Sequence, residues 1–445
     1  MGGATMSSVT ISSTGSAQPA LATLFSRVAA SLAVIVLVAL GLRIGFMFYQ
    51  QRQIPEERLR VVPFQYEAGN IARSLAEGKG FSSPFRVETG PTAWLTPVYP
   101  LIIAGIFKIF GVDTFQAFEA SVLLNIFFST LTCVPIYFAG KRIAGPGVAA
   151  TAAWLWAIFP SAIIIPFEWI WDTSLSALLA ATILWATLRT VESQRVRDWC
   201  AYGLLWGFAL MTNPTLGSLL PFLLAWMAWR ARKTMRNWLS HAALAAAIAA
   251  VCCVPWTIRN FETFHRWVPL RSTLGLQLWL GNNPYFIHSW PAWLHPIDNP
   301  AERTQYIEVG EISYMNDKLH QGLHYMLAFP KHDAKLCWDR FVATWLGSPH
   351  PFADTLQTHS QLLRVVNISN FLATLGTLAG IFVLLRRRSP FAFPVIAFPV
   401  IFPCVYYLTI AFLRYRHPID PIVLLLCAIA LDSLRGSRPR FQVSH

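Results

Sequence analysis

The chain has 445 residues, of which 55% are hydrophobic and only 13% are charged. Soluble domains carry about 25% charged residues, and the mean hydropathy here is +0.46, so the composition excludes an ordinary soluble domain. A formal net charge of +13 would favour nucleic acid as the partner of a soluble protein. Much of this basic excess lies in short loops between apolar segments. We therefore interpret these residues as setting the orientation of the chain in the membrane and contacting anionic membrane lipids. We therefore predict no nucleic-acid partner.

The N-terminal segment, residues 1–27, is predicted to be a disordered cytoplasmic tail, because it is rich in Ser, Thr and Ala and shows no apolar period. The first long apolar segment follows directly. It has little basic charge before it beyond Arg27 and no clear cleavage site after it, which favours an uncleaved anchor over a signal peptide. The seven cysteines show neither metal-binding spacing nor a disulfide framework.

Ten apolar segments qualify as helices that cross a bilayer, which takes about 20 residues. The segments are 28–49, 116–139, 147–166, 172–190, 198–212, 214–230, 238–257, 366–385, 391–412 and 418–434. When all ten cross, the basic clusters between them fall on one side, and the positive-inside tendency makes that side the cytoplasm. The sequence therefore predicts an all-α polytopic membrane protein with about ten transmembrane helices, and with its N-terminus and C-terminus in the cytoplasm.

An eleventh apolar run, residues 95–111, keeps only about 14 apolar residues after its prolines, which favours a re-entrant or interfacial helix. We place it in the first external loop, among further periplasmic loop helices. The predicted organisation has four parts after the tail: an N-terminal transmembrane module at 28–257 that includes the periplasmic loop 50–115, a periplasmic cap at 258–365, C-terminal transmembrane helices at 366–435, and a cytoplasmic tail at 436–445.

A polar helix stands out in the first external loop. The stretch "PFQYEAGNIARSLAEGKGF" (63–81) has apolar residues at helical spacing, and Gly78 and Gly80 end the pattern. Glu67 lies on another side of the same helix. It belongs either to a solvated polar face or to a site at the membrane surface into which its carboxylate points.

Asp172 opens a membrane span in "FEWIWDTSLSALL", with Glu168 four residues earlier in the same short turn. One interpretation of Asp172 is an acid that stabilises the helix N-terminus. The other joins it with Glu67, because two external loops then bring carboxylates to the same membrane face. There one acid can serve as base for a hydroxyl proton and another as its orienting partner. A divalent cation held by these carboxylates stays an alternative.

The basic residues on the same face are few. They are Lys79 after the polar helix, Arg259 in "PWTIRN", and Arg414, Arg416 and His417 in "RYRHP". Arginines at the end of a span can snorkel towards lipid headgroups, but the positive-inside tendency disfavours external arginine and one short turn holds two. The guanidinium group binds phosphate through a planar fork. Acids and arginines together therefore favour a substrate with a lipid tail and a phosphate head.

Three other residues give no clear site. Arg43 lies inside the first span and either snorkels outwards or joins the site. His320 and His324 have the i, i+4 spacing of zinc ligands, but there is no Glu between them and no obvious third ligand. No Gly-rich nucleotide loop or Walker motif is present. We therefore predict no metal site and expect no cofactor beyond the divalent-cation alternative.

Five stretches together resemble one family. They are "YEAGNIARSLAEGKGFSSPF" and "TGPTAWLTPVYPLIIAGIFKIFG" in the first loop, "WDTSLSALL" at a span start, "PWTIRNFETFHRWVPLRSTLGLQLWLGNNP" after the seventh span, and "RYRHPIDPIVLLL" near the C-terminus. In this order, over roughly residues 28–435, the chain resembles the bacterial GT-C class of integral membrane glycosyltransferases, around the protein O-mannosyltransferases and the aminoarabinose transferases of lipid A. The resemblance implies a bacterial inner-membrane protein with a cavity at its periplasmic face.

The resemblance also implies a reaction. The donor is a sugar on a polyprenyl phosphate whose tail lies between helices, and a hydroxyl of a glycolipid, polysaccharide or protein attacks the anomeric carbon with inversion. An acid in the first loop acts as base. Many members have Asp where this chain has Glu67, so Glu56 and Glu57 in "IPEERLR" stay alternatives, and Asp172 matches the second acid. The residues predicted to bind substrate are Lys79, Glu168, Arg259, Arg414, Arg416 and His417.

Two other functions stay alternatives. A transporter or flippase of lipid-linked sugar would use them as a binding site, but such proteins often show inverted repeats and no internal repeat is visible here. A non-catalytic subunit of an envelope complex would fit the spans and would leave the acids and arginines unexplained.

Overall fold

The computed structural model describes four stretches of the chain, residues 31–232, 234–285, 292–347 and 360–434. In these stretches the protein is α-helical, with short 3-10 turns between helices and an isolated β-bridge between Ser82 and Pro91. The predicted all-α class is therefore confirmed. The tails predicted at 1–27 and 436–445 lie outside the described residues.

A helix, or a pair of helices, coincides with each segment that was predicted to cross the membrane. The first twelve described helices are α1 (Leu32–Gln53), α2 (Glu56–Val61), α3 (Glu67–Ala76), α4 (Val98–Phe110), α5 (Phe115–Leu131), α6 (Cys133–Ala144), α7 (Pro146–Ile158), α8 (Pro160–Glu168), α9 (Thr173–Thr190), α10 (Val196–Thr212), α11 (Leu220–Ala231) and α12 (Trp238–Phe264). The next nine are α13 (Leu274–Gly281), α14 (Pro300–Val309), α15 (Glu311–Ala328), α16 (Pro330–Leu346), α17 (Gln361–Arg386), α18 (Ala392–Ile401), α19 (Cys404–Leu408), α20 (Leu413–Arg416) and α21 (Asp420–Leu434).

Five helical stretches of the described chain are long and apolar enough to cross a membrane. They are Leu32–Gln53, Phe115–Ala144, Trp238–Phe264, Gln361–Arg386 and Arg414–Leu434. The pair α7 and α8, bent by 45°, makes a sixth if it forms one broken span. The chain is thus a multi-pass membrane protein, whereas ten crossings and the cytoplasmic placement of both termini stay predictions. The eleventh apolar run forms α4, a shorter apolar helix.

The bend between α7 and α8 explains Arg43. Pro160 has no N–H, so the carbonyl oxygen of Trp156 cannot receive the usual helical hydrogen bond. The buried guanidinium of Arg43 donates instead to the carbonyl oxygens of Trp156, at 3.2 Å, and Ala157, at 3.1 Å. It also donates to the Ser129 hydroxyl at 2.9 Å. Arg43 therefore neither snorkels outwards nor lines the site, and it stabilises the bend that leads to Glu168 and Asp172.

The polar helix α3 is buried on both of its predicted faces. Phe64 is fully buried and packs edge-on against Phe107 of α4, with ring centroids 4.8 Å apart. Glu67 on the other face is only 6% exposed, so the interpretation as a solvated face is wrong. A Cβ on Gly69 would lie 2.3 Å from the carbonyl oxygen of Phe64. Only glycine permits this close approach, which fixes the helix start that carries Glu67.

One carboxylate ties the cap to the first external loop. Glu311, at the start of α15, accepts hydrogen bonds from the Thr92 hydroxyl at 2.5 Å and the Ala93 amide at 2.8 Å. It also accepts from the Ser272 hydroxyl at 2.7 Å and the Tyr306 hydroxyl at 2.6 Å. Because a buried carboxylate must be paired, this arrangement holds three separate segments together. The turn after residue 292 also reaches α3, where Nε2 of His295 lies 3.5 Å from Oε1 of Glu67.

Candidate active site

A cavity of about 490 Å³ lies where the first loop, the α8–α9 turn, the cap and the C-terminal helices meet. Three predicted acids, Glu67, Glu168 and Asp172, line it together with Arg414. Arg271 lines it as well. The structure thus brings both predicted catalytic acids and one of the predicted arginines into one pocket.

Glu67 is the first residue of α3, where the helix N-terminus favours a carboxylate. Burial raises the pKa of Glu67 to about 7, and the negative charge of Asp298 adds to the rise. A hydrogen bond from its own backbone, the positive charge of Arg414 and a hydrogen bond from Trp94 each lower the pKa, but together they do not offset burial. The Nε2 atom of His295 lies 3.5 Å from its Oε1 atom. A carboxylate with a pKa near 7 is half ionised at neutral pH, which suits a general base.

Asp172 precedes α9 and faces the same cavity. Its Oδ2 atom accepts a hydrogen bond from the Ser176 hydroxyl at 3.0 Å, and Asn213 donates to that hydroxyl at 3.2 Å. The side chain makes no capping hydrogen bond to the backbone of α9. The interpretation of Asp172 as only a helix-capping acid therefore lacks its expected contact. The charges of Arg271 and Arg414 both attract this carboxylate.

Arg414 is held by aromatic rings. Its guanidinium carbon lies 4.2 Å from the ring centroid of Trp169 and 5.1 Å from that of Trp171. Phe412 and Tyr415 add ring contacts at 5.4 and 5.3 Å. Ring faces attract a cation without using up its N–H donors. The arrangement fixes a positive charge beside the two acids and leaves it able to bind an anion.

Two other predicted basic residues lie outside this cavity. Lys79 is exposed and pairs with Glu77 at 3.1 Å and Glu88 at 2.7 Å. Arg259 donates to the carbonyl oxygens of Thr92 and Phe81, both at 2.7 Å. Arg259 therefore shapes the first loop, and Lys79 lies at its surface.

Arg416 and His417 are buried in the packing behind Arg414. Arg416 forms an ion pair with Asp420 at 2.8 Å and donates to Asn370 at 2.5 Å. The Nδ1 atom of His417 lies 3.2 Å from the other Asp420 oxygen. These contacts join α20, α21 and α17, so both residues support the position of Arg414.

The alternative bases differ from Glu67 in their position. Glu56 and Glu57 are exposed on α2 and do not line the cavity, which favours Glu67 as the base. Within the described part of the chain, no three His, Cys, Asp or Glu side chains group closely enough to hold a metal ion.

Sequence reasoning missed several lining residues. Arg271 stands in "PLRST", within the stretch after the seventh predicted span, and the predicted topology places it on the same side as Arg259. The rule that singled out Arg259 could have found it. His295 and Asp298 stand in "LHPIDNP", a Pro-rich segment without any period. Only the tertiary contact with α3 reveals them.

Comparisons with known proteins find one family match and several similar folds. Residues 94–258 match the family model described as dolichyl-phosphate-mannose-protein mannosyltransferase. No curated protein sequence matches the chain.

Solved structures show the same fold. The apo oligosaccharyltransferase of Archaeoglobus fulgidus covers 91% of this chain at 11% identity, with a TM-score of 0.52. The archaeal oligosaccharyltransferase AglB from A. fulgidus, in complex with an inhibitory peptide and a dolichol-phosphate, covers 92% at 12% identity, with a TM-score of 0.51. This chain spans only 50% and 52% of those two chains. ArnT from Cupriavidus metallidurans bound to undecaprenyl phosphate covers 94% at 17% identity, with a TM-score of 0.35. The predicted resemblance is confirmed: residues 94–258 carry the protein-mannosyltransferase family match, and the chain has the fold of the GT-C membrane glycosyltransferases.

Proposed function

We propose that this protein transfers a sugar from a polyprenyl-phosphate donor to the hydroxyl group of an acceptor, at the periplasmic surface of a bacterial inner membrane. The observation that carries the proposal is the shared cavity of Glu67, Asp172 and Arg414. A base, a second acid and a phosphate-binding cation are the parts that such a transfer requires.

Glu67 takes the proton. Its burial and its pKa of about 7 let it be ionised at neutral pH and still accept a proton from the acceptor hydroxyl. The acceptor oxygen then bonds to the anomeric carbon from the face opposite the phosphate, with inversion. Asp172 stands in the same cavity and orients a hydroxyl group of the acceptor or the sugar.

Arg414 receives the leaving group. As the bond between the anomeric carbon and the phosphate oxygen breaks, its electron pair goes to the phosphate, which departs on its lipid. A guanidinium fixed by rings, with Arg271 lining the same cavity, stabilises that developing charge without moving. Lys79, Arg259, Arg416 and His417 act indirectly in this mechanism, through the loop and helices that they hold.

An apolar groove supports a donor with a lipid tail. A groove of about 430 Å³ lies mainly between α5, α6 and α9, and α4 and α10 contribute one residue each to its lining. Its lining includes Ile102, one turn from the cavity residue Tyr99, and Leu175, two residues beyond the cavity residue Thr173. A polyprenyl chain in this groove would keep its phosphate at Arg414. The archaeal AglB of the same fold is described with a dolichol-phosphate, a lipid phosphate of the proposed class.

The test reconstitutes the full-length protein in liposomes with a panel of polyprenyl-phosphate sugars and measures the release of free polyprenyl phosphate. We expect Glu67→Gln to lower release by at least about a hundredfold. Glu56→Gln, the same change at an exposed position on α2, serves as the matched control and should leave release unchanged.

Two results would contradict the proposal. Near-wild-type release by Glu67→Gln would remove that residue as base. Movement of the lipid-linked sugar between leaflets without any bond cleavage would favour a transporter or flippase instead.

A further inference from the structure

A histidine from the cap reaches the proposed base. His295 is 2% exposed, and its ring packs edge-on against Trp94, with centroids 5.6 Å apart, and against Phe85 at 6.4 Å. Its Nε2 atom lies 3.5 Å from Oε1 of Glu67. The cap and the first loop thus meet at the reacting carboxylate.

The tautomer of this histidine follows from its other nitrogen. The backbone amide of Ile297 donates a hydrogen bond to Nδ1 of His295 at 3.1 Å. A nitrogen that accepts a hydrogen bond carries no proton, so a neutral ring must carry its proton on Nε2. Burial lowers the pKa of His295 to about 3, which keeps the ring neutral. The protonated nitrogen is therefore Nε2, the one that lies 3.5 Å from Oε1 of Glu67.

The turn that presents His295 is rigid. The amides of Asp298 and Asn299 both donate to the His295 carbonyl oxygen, at 3.0 and 2.9 Å. The guanidinium of Arg303 donates to the carbonyl oxygens of Pro296 and Ile297 at 3.1 and 3.2 Å. The ring is thus held in place before any substrate arrives, as a group that orients a base must be.

We propose that His295 is a positioning residue for the base: as a neutral imidazole fixed in its Nε2–H tautomer, it donates to Oε1 of Glu67 and orients the carboxylate towards the acceptor hydroxyl. This inference rests on the proposed role of Glu67. His295 cannot receive the proton that Glu67 takes, because Nε2 already carries a proton and Nδ1 already accepts from a backbone amide. The proton therefore stays on Glu67 while the sugar is transferred.

Other charged groups near Glu67 also affect its pKa, and a substitution of His295 does not remove them. Arg414 attracts the ionised carboxylate, and Asp298, from the same turn as His295, repels it. Glu168 and Asp172 line the same cavity. Substitution of His295 leaves these groups in place and removes one hydrogen-bond donor. A hydrogen bond to a charged group is strong enough to move a pKa by about one unit, so loss of the donor should raise the pKa of Glu67 by about that amount.

The experiment compares two substitutions in the full-length protein in liposomes. His295→Phe keeps a ring against Trp94 and removes the donor, whereas His295→Gln keeps an N–H donor. The protonation of Glu67 is followed by infrared difference spectroscopy across pH, with its band assigned by its absence in Glu67→Gln. We expect the midpoint to rise by about one pH unit in His295→Phe and to return to the wild-type value in His295→Gln.

An unchanged or lower midpoint in His295→Phe would overturn the inference, and so would an equal rise in His295→Gln. If His295→Phe does not fold, His295→Leu provides the same comparison.

The acidic limb of kcat/KM should move with the infrared midpoint, so that the deficit of His295→Phe closes at high pH, whereas a purely structural defect would persist at every pH. The infrared readout needs no turnover. It therefore tests His295 even if sugar transfer itself fails, and failure of the shift leaves the transfer proposal intact.

Discussion

Arg414 and Arg416 stand two residues apart in "RYRHP" and have opposite surroundings. Arg414 faces the cavity, where aromatic rings hold it. Arg416 is buried and pairs with Asp420 at 2.8 Å. Two positions along a helix differ by about 200° around its axis, so adjacent charges can point to a site and away from it. The comparison teaches that a charge paired at close range inside the protein supports the fold, whereas a charge that aromatic rings hold at the edge of a cavity stays available for a substrate.

The largest expected effect is on stability, at Arg416. Arg416→Gln leaves Asp420 buried without its charged partner, which should lower the free energy of unfolding by about 3 kcal/mol. Denaturant unfolding in detergent micelles measures the loss. The fraction that stays folded should keep turnover close to that of wild type. Unchanged stability would show that the pair does not support the helices behind Arg414.

The next effect is on turnover, at Arg414. Arg414→Gln removes the cation that stabilises the leaving phosphate, so release of polyprenyl phosphate should fall by about a hundredfold. Unfolding measured beside Arg416→Gln provides the control, and Arg414→Gln should be the more stable of the two. A variant that is destabilised yet fully active would reverse the roles of the two arginines.

A smaller effect is expected from the rings around Arg414. Trp169→Leu removes the ring at 4.2 Å and with it about 1 kcal/mol of cation–π attraction, which should raise the KM for the donor several-fold. Trp338→Leu, at an exposed position on α16, is the matched control. Equal KM values in the two variants would mean that the rings do not fix the guanidinium.

The smallest effect is expected at Lys79. Its pairs with Glu77 and Glu88 are exposed, and such pairs contribute little. Lys79→Ala should therefore keep turnover within about twofold of wild type, measured in the same release assay. A hundredfold loss of turnover would show that Lys79 belongs to the substrate site.

The sequence made the membrane class and the main acids predictable. The length of an apolar segment locates a helix, because the thickness of a bilayer sets the length that a crossing helix needs. Glu67, Asp172 and Arg414 can be identified because charged residues are rare in such a chain. The pairing of Arg416 with Asp420 was also accessible, because the two stand at i, i+4. That spacing separates Arg416 from Arg414 within the "RYRHP" cluster, which composition alone presents as one group of charges.

Other features depend on tertiary contacts that no local pattern contains. Arg43 stabilises a bend that begins at Pro160, more than 100 residues away along the chain. Its role follows only from its hydrogen bonds to the carbonyl oxygens of Trp156 and Ala157. His295 lies in a Pro-rich segment without periodicity, and its meeting with Glu67 requires the cap to pack on α3. Local propensity cannot specify such distant pairs, although the fold that creates them was correctly predicted.

The pH dependence of kcat/KM tests the central claim most directly, because the claim places the base in a buried cavity. A base must be ionised, so activity should be present above the pKa of Glu67 and lost below it. With that pKa raised by burial to about 7, kcat/KM should fall about tenfold per pH unit below pH 7. A flat profile down to the ordinary range of an exposed glutamate would contradict the account.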